Sequence, residues 1–319
     1  MLRIFGLLFA FLLVGCFGDA PRTNPLDTDN PGSGYLLEGK VERFYSNDPL
    51  PGASIMIVPG SQIVVSDIQG NFTWSNRLER GQYQVIARGA FYDSDTQLVD
   101  LKKDTSLVFK LNALPQFEEV NLTSLHITSF IPPDEYQVEI GVLASDGDTQ
   151  ADIQTVYFEV PDLAVQDTLV RISNQQARFA GIFSRAQLNI TFIEELQGIP
   201  FYLHAVDLAG GNSVSAAQYI YRVINTAPRP VSPDGSASLP INFTWQSLVL
   251  PFDFTYSIEI YPNSPISLPP VVTVNQIERT ATTHTYSGNL PSGSYYWVLY
   301  IVDEVGNRSR SRQVELTIP

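Results

Sequence analysis

The sequence predicts an all-β protein, three tandem β-sandwich domains behind an apolar leader and a tether. Three observations carry that prediction. The chain of 319 residues holds 21 Gly and 22 Pro but only 2 Met, and charged residues make up 16% of it, a balance poor in helix formers and rich in turn formers. Tyr and Phe number 15 and 18, residue types that suit a pleated, half-buried surface. Finally, the run Val206-Asp207-Leu208-Ala209-Gly210-Gly211-Asn212-Ser213 returns as Val302-Asp303-Glu304-Val305-Gly306-Asn307-Arg308-Ser309, 96 residues later. That offset suits sandwiches of about 100 residues and is too long for a solenoid unit.

The leader comes first. Arg3 precedes the apolar run 4–14, which is too short for a membrane span of roughly 20 residues and reads as the h-region of a signal peptide over 1–15. It ends in Leu13-Val14-Gly15-Cys16, and Cys16 is the sole cysteine. One cysteine excludes an intrachain disulfide framework, a Cys-based zinc site and a Cys-x-x-Cys pair. The four residues resemble the lipobox of bacterial lipoproteins. That resemblance implies lipidation at Cys16, a membrane partner reached through the lipid, and, with Phe17 in place of Asp after the cysteine, a bacterial outer-membrane location on either face. Residues 16–34 are rich in Gly, Pro, Asn and Asp and read as a tether. Asp27 and Asp29 alternate like calcium ligands, but no Gly turn and distal Glu complete a loop.

The first module is expected over 35–114. Its strand candidates are 35–44, 54–58, 63–66, 70–75, 81–87 and 106–111, separated by turns such as Asp48-Pro49, Pro51-Gly52 and Pro59-Gly60. The elements Gly39-x-Val41, Pro49-Leu50-Pro51-Gly52-Ala53-x-Ile55, Ser66-Asp67-x-x-Gly70-x-Phe72 and Leu78-x-x-Gly81-x-Tyr83-x-Val85 resemble the carboxypeptidase regulatory-like, or transthyretin-like, domain. Asp67 reads as a turn former, since its carboxylate can accept nearby backbone N–H groups while Gly70 supplies positive φ.

The second module is expected over 115–226, with strands at 122–130, 136–145, 155–160, 168–172, 177–183, 188–193, 199–207 and 218–223. Its pattern resembles an immunoglobulin-like sandwich. The third, 227–319, follows the linker Thr226-Ala227-Pro228-Arg229-Pro230. Trp245 is a candidate core residue, and the passage Leu290-Pro291-Ser292-Gly293-Ser294-Tyr295 through Asp303 resembles the corner and following strand of a fibronectin type III domain. In that resemblance the Tyr295 hydroxyl ties back to upstream backbone. The Pro-rich stretch 262–270 departs from the pattern. The Asp-x-x-Gly repeat reads as a turn between the last two strands of each module.

Little in the chain suggests catalysis. No Gly-x-Ser-x-Gly elbow or phosphate loop is present in the sequence. His126, His204 and His284 lie in separate neighbourhoods without metal-ligand spacing and read as satisfied or solvent-facing. The pairs Glu118-Glu119 and Glu194-Glu195 are expected on opposite faces of strands, not as a glycosidase pair. Asp93-Ser94-Asp95 and Asp146 through Asp152 are the best cation candidates; a solvated loop is the expected state of each, with calcium the alternative. Tyr92, Tyr295, Tyr296 and Tyr300 are candidate sugar-stacking rings, though most such rings are core. A net charge of −14 counts against nucleic acid. The expectation is a non-enzymatic envelope protein with no catalytic, cofactor or metal residue and no cofactor. Its modules would serve adhesion, scaffolding or assembly with a protein or glycan partner; the alternative is a glycan-binding accessory lipoprotein of a polysaccharide-uptake system.

Overall fold

The computed structural model describes residues 34–60, 62–129, 134–173, 175–264, 266 and 268–319. The expected signal peptide, Cys16 and the tether to residue 33 lie outside them. The fold is all-β, as the composition predicts. The chain forms two compact units, the first ending at Asn112 and the second beginning at Ala113.

The first unit is a sandwich of seven strands: β1 (Leu37–Arg43), β2 (Ser54–Val58), β3 (Ile63–Val65), β4 (Asn71–Thr73), β5 (Gly81–Arg88), β6 (Asp95–Leu101) and β7 (Thr105–Leu111). One sheet has the order β4-β1-β7 and the other β3-β2-β5-β6. Alternate residues Leu37, Val41, Ile55, Ile57, Phe72, Val85 and Phe109 turn inward and form the core with Trp74. Gly39 on β1 has no room for a side chain, because a Cβ there would sit 2.2 Å from the Leu107 carbonyl oxygen and 2.6 Å from the Phe72 ring. The Asp67 turn forms as its residues dictate. Its Oδ1 accepts N–H bonds from Gln69 and Asn71 at 2.9 and 2.8 Å, and Gly70 takes φ +78°. The β6 strand was not among the expected ones: its inward positions include Asp95 and Gln97, which break the apolar alternation.

The second unit carries β8 (Gln116–Ile127), β9 (Glu135–Ser145), β10 (Ile153–Val160), β11 (Val165–Thr168), β12 (Val170–Arg171), β13 (Ala177–Ser184), β14 (Tyr202–Asp207) and β15 (Asn212–Val214). It continues with β16 (Pro230–Ser232), β17 (Gly235–Ser236), β18 (Ile241–Trp245), β19 (Phe254–Pro262), β20 (Val272–Glu278), β21 (Thr283–Tyr286), β22 (Gly293–Asp303), β23 (Arg308–Arg310) and β24 (Val314–Ile318). Two cores fill it. One lies between β9 and β13 on one side and β10 and β14 on the other, around Val138, Ile140, Phe158, Phe179 and Phe201. The other gathers Phe243, Trp245, Tyr256, Ile258, Trp297 and Leu299.

The two cores share one sheet. It runs β12-β13-β9-β8-β23-β22-β19-β20, with β24 on β22 and β17 on β24; β8 and β23 pair in parallel, Leu125 with Arg308, His126 with Ser309 and Ile127 with Arg310. The registers put Val138, Ser124, His126, Ser309 and Ile301 on one face, so both cores pack on the same side of it. On the opposite face Leu125, Val298 and Tyr300 are buried among Ile127, Tyr261, Tyr296 and Val302, which contributes on the order of 5 kcal/mol to the junction at about 2 kcal/mol per buried side chain.

Two expected strands are not strands. Residues 188–193 form turns that lead into a 3-10 helix at Ile193–Leu196. Leu188, Ile193 and Leu196 all reach the core from it, so the apolar residues that suggest a strand act as a plug. Residues 218–223 make only isolated bridges, Phe201 to Gln218 and Gln197 to Ile220. The Pro-rich stretch is largely the β19–β20 connection.

Candidate functional site

The 96-residue repeat is a repeat of structure. In both copies an Asp closes the turn: Asp207 Oδ1 accepts Gly211 N–H at 2.7 Å, and Asp303 Oδ1 accepts Asn307 N–H at 2.8 Å. Gly210 and Gly306 take φ +94° and +95°, where a side chain would be strained. Four residues past each turn, Ser215 and Ser311 repeat the same bond, accepting N–H from Leu203 and Leu299 at 3.0 and 2.9 Å.

The copies then diverge. Position 211 is Gly, but its counterpart Asn307 reaches across to the preceding sandwich, where its Oδ1 accepts Ser124 N–H at 2.9 Å and its Nδ2 donates to Asp303 Oδ2 at 3.0 Å. Arg222 completes the junction by donating to Asp303 Oδ2 at 2.9 Å and to Glu304 Oε2 at 3.0 Å, with its guanidinium 4.2 Å from the centre of the Phe252 ring. Asp303 therefore accepts from four donors counting Val305 N–H, which offsets the cost of burying its charge.

His126 lies beside this network. Its Nδ1 is 2.9 Å from Ser309 Oγ, its Nε2 is 3.1 Å from Asp134 Oδ2, and its ring stacks on Tyr136 at 4.5 Å. Between a hydroxyl and a carboxylate, the imidazole takes the tautomer that accepts from Ser309 and donates to Asp134. The three residue types are those of a hydrolytic triad, but Ser309 is 0% exposed, so its hydroxyl has no path to a substrate. The constellation holds β8 to β23.

A cleft of about 1170 Å³ opens next to it, lined by His126, Asp134, Arg229, Asp234, Gln246 and Arg312 among others. Mixed charges and amides line it, so it suits a polar guest. Among the described residues of its lining, the imidazole is the one aromatic ring.

The acidic stretch 146–152 converges. Asp146, Asp148 and Asp152 bring one carboxylate oxygen each within 4.8 Å of one another. Asp148 Oδ2 accepts Ala113 N–H at 3.0 Å, and Asp146 Oδ1 accepts Asp148 N–H at 2.8 Å. Burial, with Asp152, Asp148 and Asp207 nearby, pushes the Asp146 carboxyl up to about 6. These are the oxygen donors a hard cation takes, though three fall short of the six to eight that calcium needs, and backbone carbonyls or water would complete the shell. By contrast, Asp95 on β6 pairs with Ala87 on β5, and Asp93 donates its N–H to the Asn112 carbonyl.

The remaining candidates are placed as follows. His204 stacks on Tyr157 at 4.5 Å with Nε2 3.4 Å from Glu159, and His284 sits on β21 opposite Phe243. Glu118 is the extra residue of a bulge in β8, between Phe117 paired with Ala144 and Glu119 paired with Leu143. Glu194 and Glu195 lie on the 3-10 helix instead of a strand, and Glu195 caps it by accepting Phe192 N–H at 2.6 Å. Tyr295 donates its hydroxyl to the Pro291 carbonyl at 3.0 Å, the expected corner. Tyr300 is buried and cannot stack on a sugar; Tyr92 packs half-buried against the first core, and Tyr296 stacks on Tyr261. Cys16 lies outside the described residues.

No family model matches the chain, and no curated protein matches it. Among solved structures it is similar to BcpA, the major pilin subunit of Bacillus cereus, at 11% identity and a TM-score of 0.31 over 89% of this chain and 97% of that one. It is similar also to the FN1–FN3 domains of chicken CNTN1, at 10% identity and 0.30 over 89% and 98%, and to the fibronectin(III)-like modules of Clostridium thermocellum CbhA, at 10% and 0.27 over 64% and 94%. At these scores the likenesses carry no argument about what this chain does.

Proposed function

We propose that this protein is a non-catalytic, lipid-anchored component of the bacterial outer membrane that displays its β-sandwiches for adhesion, scaffolding or assembly. One observation supports the display role above others: the side chains best suited to chemistry, His126, Ser309 and Asp303, are spent on joining two sandwiches through one sheet. The anchor rests on Leu13-Val14-Gly15-Cys16, whose thiol takes the diacylglycerol in this reading. Among the described residues no helix is long and apolar enough to cross a membrane. The first unit serves as a carboxypeptidase regulatory-like module, a reading supported by the Asp67 and Gly70 turn and the close approach at Gly39.

Replacing Cys16 with Ser tests the anchor. The expected outcome is loss of both lipid labelling and membrane partitioning; a variant that still partitions with membranes sinks it. A second reading, a glycan-binding accessory lipoprotein of a polysaccharide-uptake system, draws on the polar cleft beside His126. A glycan array decides between the two, since retention of a glycan that Asp234→Ala releases would favour the second.

A further inference from the structure

The outer face of the sheet β3-β2-β5-β6 carries an apolar patch where a solvated face should be polar throughout. The strands already read unusually, as the near-continuous runs Ile55-Met56-Ile57-Val58, Ile63-Val64-Val65 and Val85-Ile86-Ala87, the pattern of strands covered on both faces. Their inward residues fill the core of the first unit. Their outward residues form a patch. The registers place Ile63, Met56 and Ile86 in one row across three strands, with Val65 beside Ile63 and with Val58 and Leu98 in the adjoining row. Leu98 is 86% exposed, and Ile63 and Val65 are each 60% exposed. Single exposed apolar residues are ordinary; four exposed ones, Val58, Ile63, Val65 and Leu98, in neighbouring register around half-buried Met56 and Ile86 mark an interaction surface.

We infer that this face docks on the same face of a second copy of the chain. The polar groups it contains are Ser54, Gln82, Gln84, Thr96, Arg88 and Asp100, so it carries no net charge on a protein whose total is −14. Two copies repel each other over most of their surface and least here. Arg88 and Asp100 lie at opposite ends of adjacent strands, and a two-fold axis running across the strands brings Arg88 of each copy toward Asp100 of the other. Asp100 has Lys102 alongside, a surface pair that costs little to exchange. Other occupants fit less well. The chain's own residues 17–33 offer only Phe17 and Leu26 as large apolar groups. An anionic bilayer calls for several basic residues and aromatic rings, and a sugar for an exposed ring.

Four strands about 4.8 Å apart and about 17 Å long give a footprint on the order of 300 Å², below the roughly 800 Å² each partner contributes to a standard interface. Pairing is therefore weak in dilute solution. It does not depend on whether Cys16 is acylated. Sedimentation equilibrium of the full chain carrying Cys16→Ser, from about 10 to 500 µM, tests it. The expected result is a monomer–dimer equilibrium weakened tenfold or more by Ile63→Glu with Leu98→Glu, and unchanged by Val249→Glu, which alters a 92% exposed residue of the second unit. Arg88→Glu should weaken the dimer and Arg88→Glu with Asp100→Arg restore it. Circular dichroism of each variant confirms that these exposed changes leave the fold intact. A wild-type chain that stays monomeric throughout, a double Glu variant that pairs as wild type, or a charge swap without recovery overturns the inference.

Discussion

A tyrosine hydroxyl performs the same task in both units. Leu78-Glu79-Arg80-Gly81-Gln82-Tyr83 and Leu290-Pro291-Ser292-Gly293-Ser294-Tyr295 share the spacing Leu-x-x-Gly-x-Tyr. In each the hydroxyl donates to the carbonyl four residues upstream, Glu79 or Pro291, at 3.0 Å. The glycine lies against the ring: a Cβ on Gly293 would meet Tyr295 at 3.3 Å, and one on Gly81 would meet Tyr83 at 3.5 Å. The bond at Tyr295 is part-buried and the one at Tyr83 exposed, so Tyr295→Phe should cost about 1 kcal/mol in chemical denaturation of the second unit and Tyr83→Phe a smaller amount in the first. Equal losses would contradict the role given to burial. The Tyr295 corner is legible in the sequence because a corner is local, its donor and acceptor four residues apart; the one at Tyr83 emerges from the structure. His126 and Ser309, 183 residues apart, have no such signature; His126 reads as an ordinary strand residue and Ser309 as the end of a repeated turn segment until β23 meets β8.

Elements were legible where apolar residues alternate cleanly or run unbroken between turns, and obscure where polar residues take inward positions or apolar ones sit on turns. The β9 strand, buried at every second residue, announces itself. The β6 strand hides behind inward Asp95 and Gln97, and 188–196 misleads because apolar residues at strand-like spacing sit on turns. The loop from Asp146 to Asp152 is the element whose chemistry responds to pH. Its Asp146 carboxyl, held up at about 6 mainly by burial and further by Asp152, Asp148 and Asp207, keeps a proton in the folded chain that the unfolded chain releases near pH 4. Between pH 4 and 6 the native state thus binds more protons, and stability of the second unit falls as pH rises through that window. Asp146→Asn retains an oxygen to accept Asp148 N–H while removing the ionisation. The change in denaturation midpoint between pH 4.5 and 7.5 should therefore be shifted in the stabilising direction in this variant relative to wild type. Parallel pH profiles for the two proteins would show that the carboxyl is not held up by its surroundings.

At the scale of the molecule, a fused sheet is not readable from sequence. Thr226-Ala227-Pro228-Arg229-Pro230 follows closely on the change from one core to the other, the first gathering residues up to Ile220 and the second beginning at Ile224. The strand that joins them, Arg308-Ser309-Arg310, is three polar-looking residues whose partner lies in another repeat. The consequence is energetic. Asn307 is 1% exposed and satisfies Ser124 and Asp303 together; without it, a buried N–H donor on one sandwich and a buried carboxylate acceptor on the other each lose a partner, at about 1–3 kcal/mol each. That cost is a large fraction of the roughly 5–15 kcal/mol that stabilises a domain, enough to make the two sandwiches melt as one. Calorimetry of the wild-type chain should accordingly resolve a single cooperative transition for the second unit, with van't Hoff and calorimetric enthalpies in agreement. Asn307→Ala should lower its midpoint and drop the van't Hoff value below the calorimetric one as the sandwiches uncouple. Asn212→Ala, an exposed position one residue past Gly211, the counterpart of Asn307, should change neither. Separate transitions for the two sandwiches in the wild-type chain, or an enthalpy ratio unmoved by Asn307→Ala, would mean that the shared sheet joins them in geometry but not in free energy.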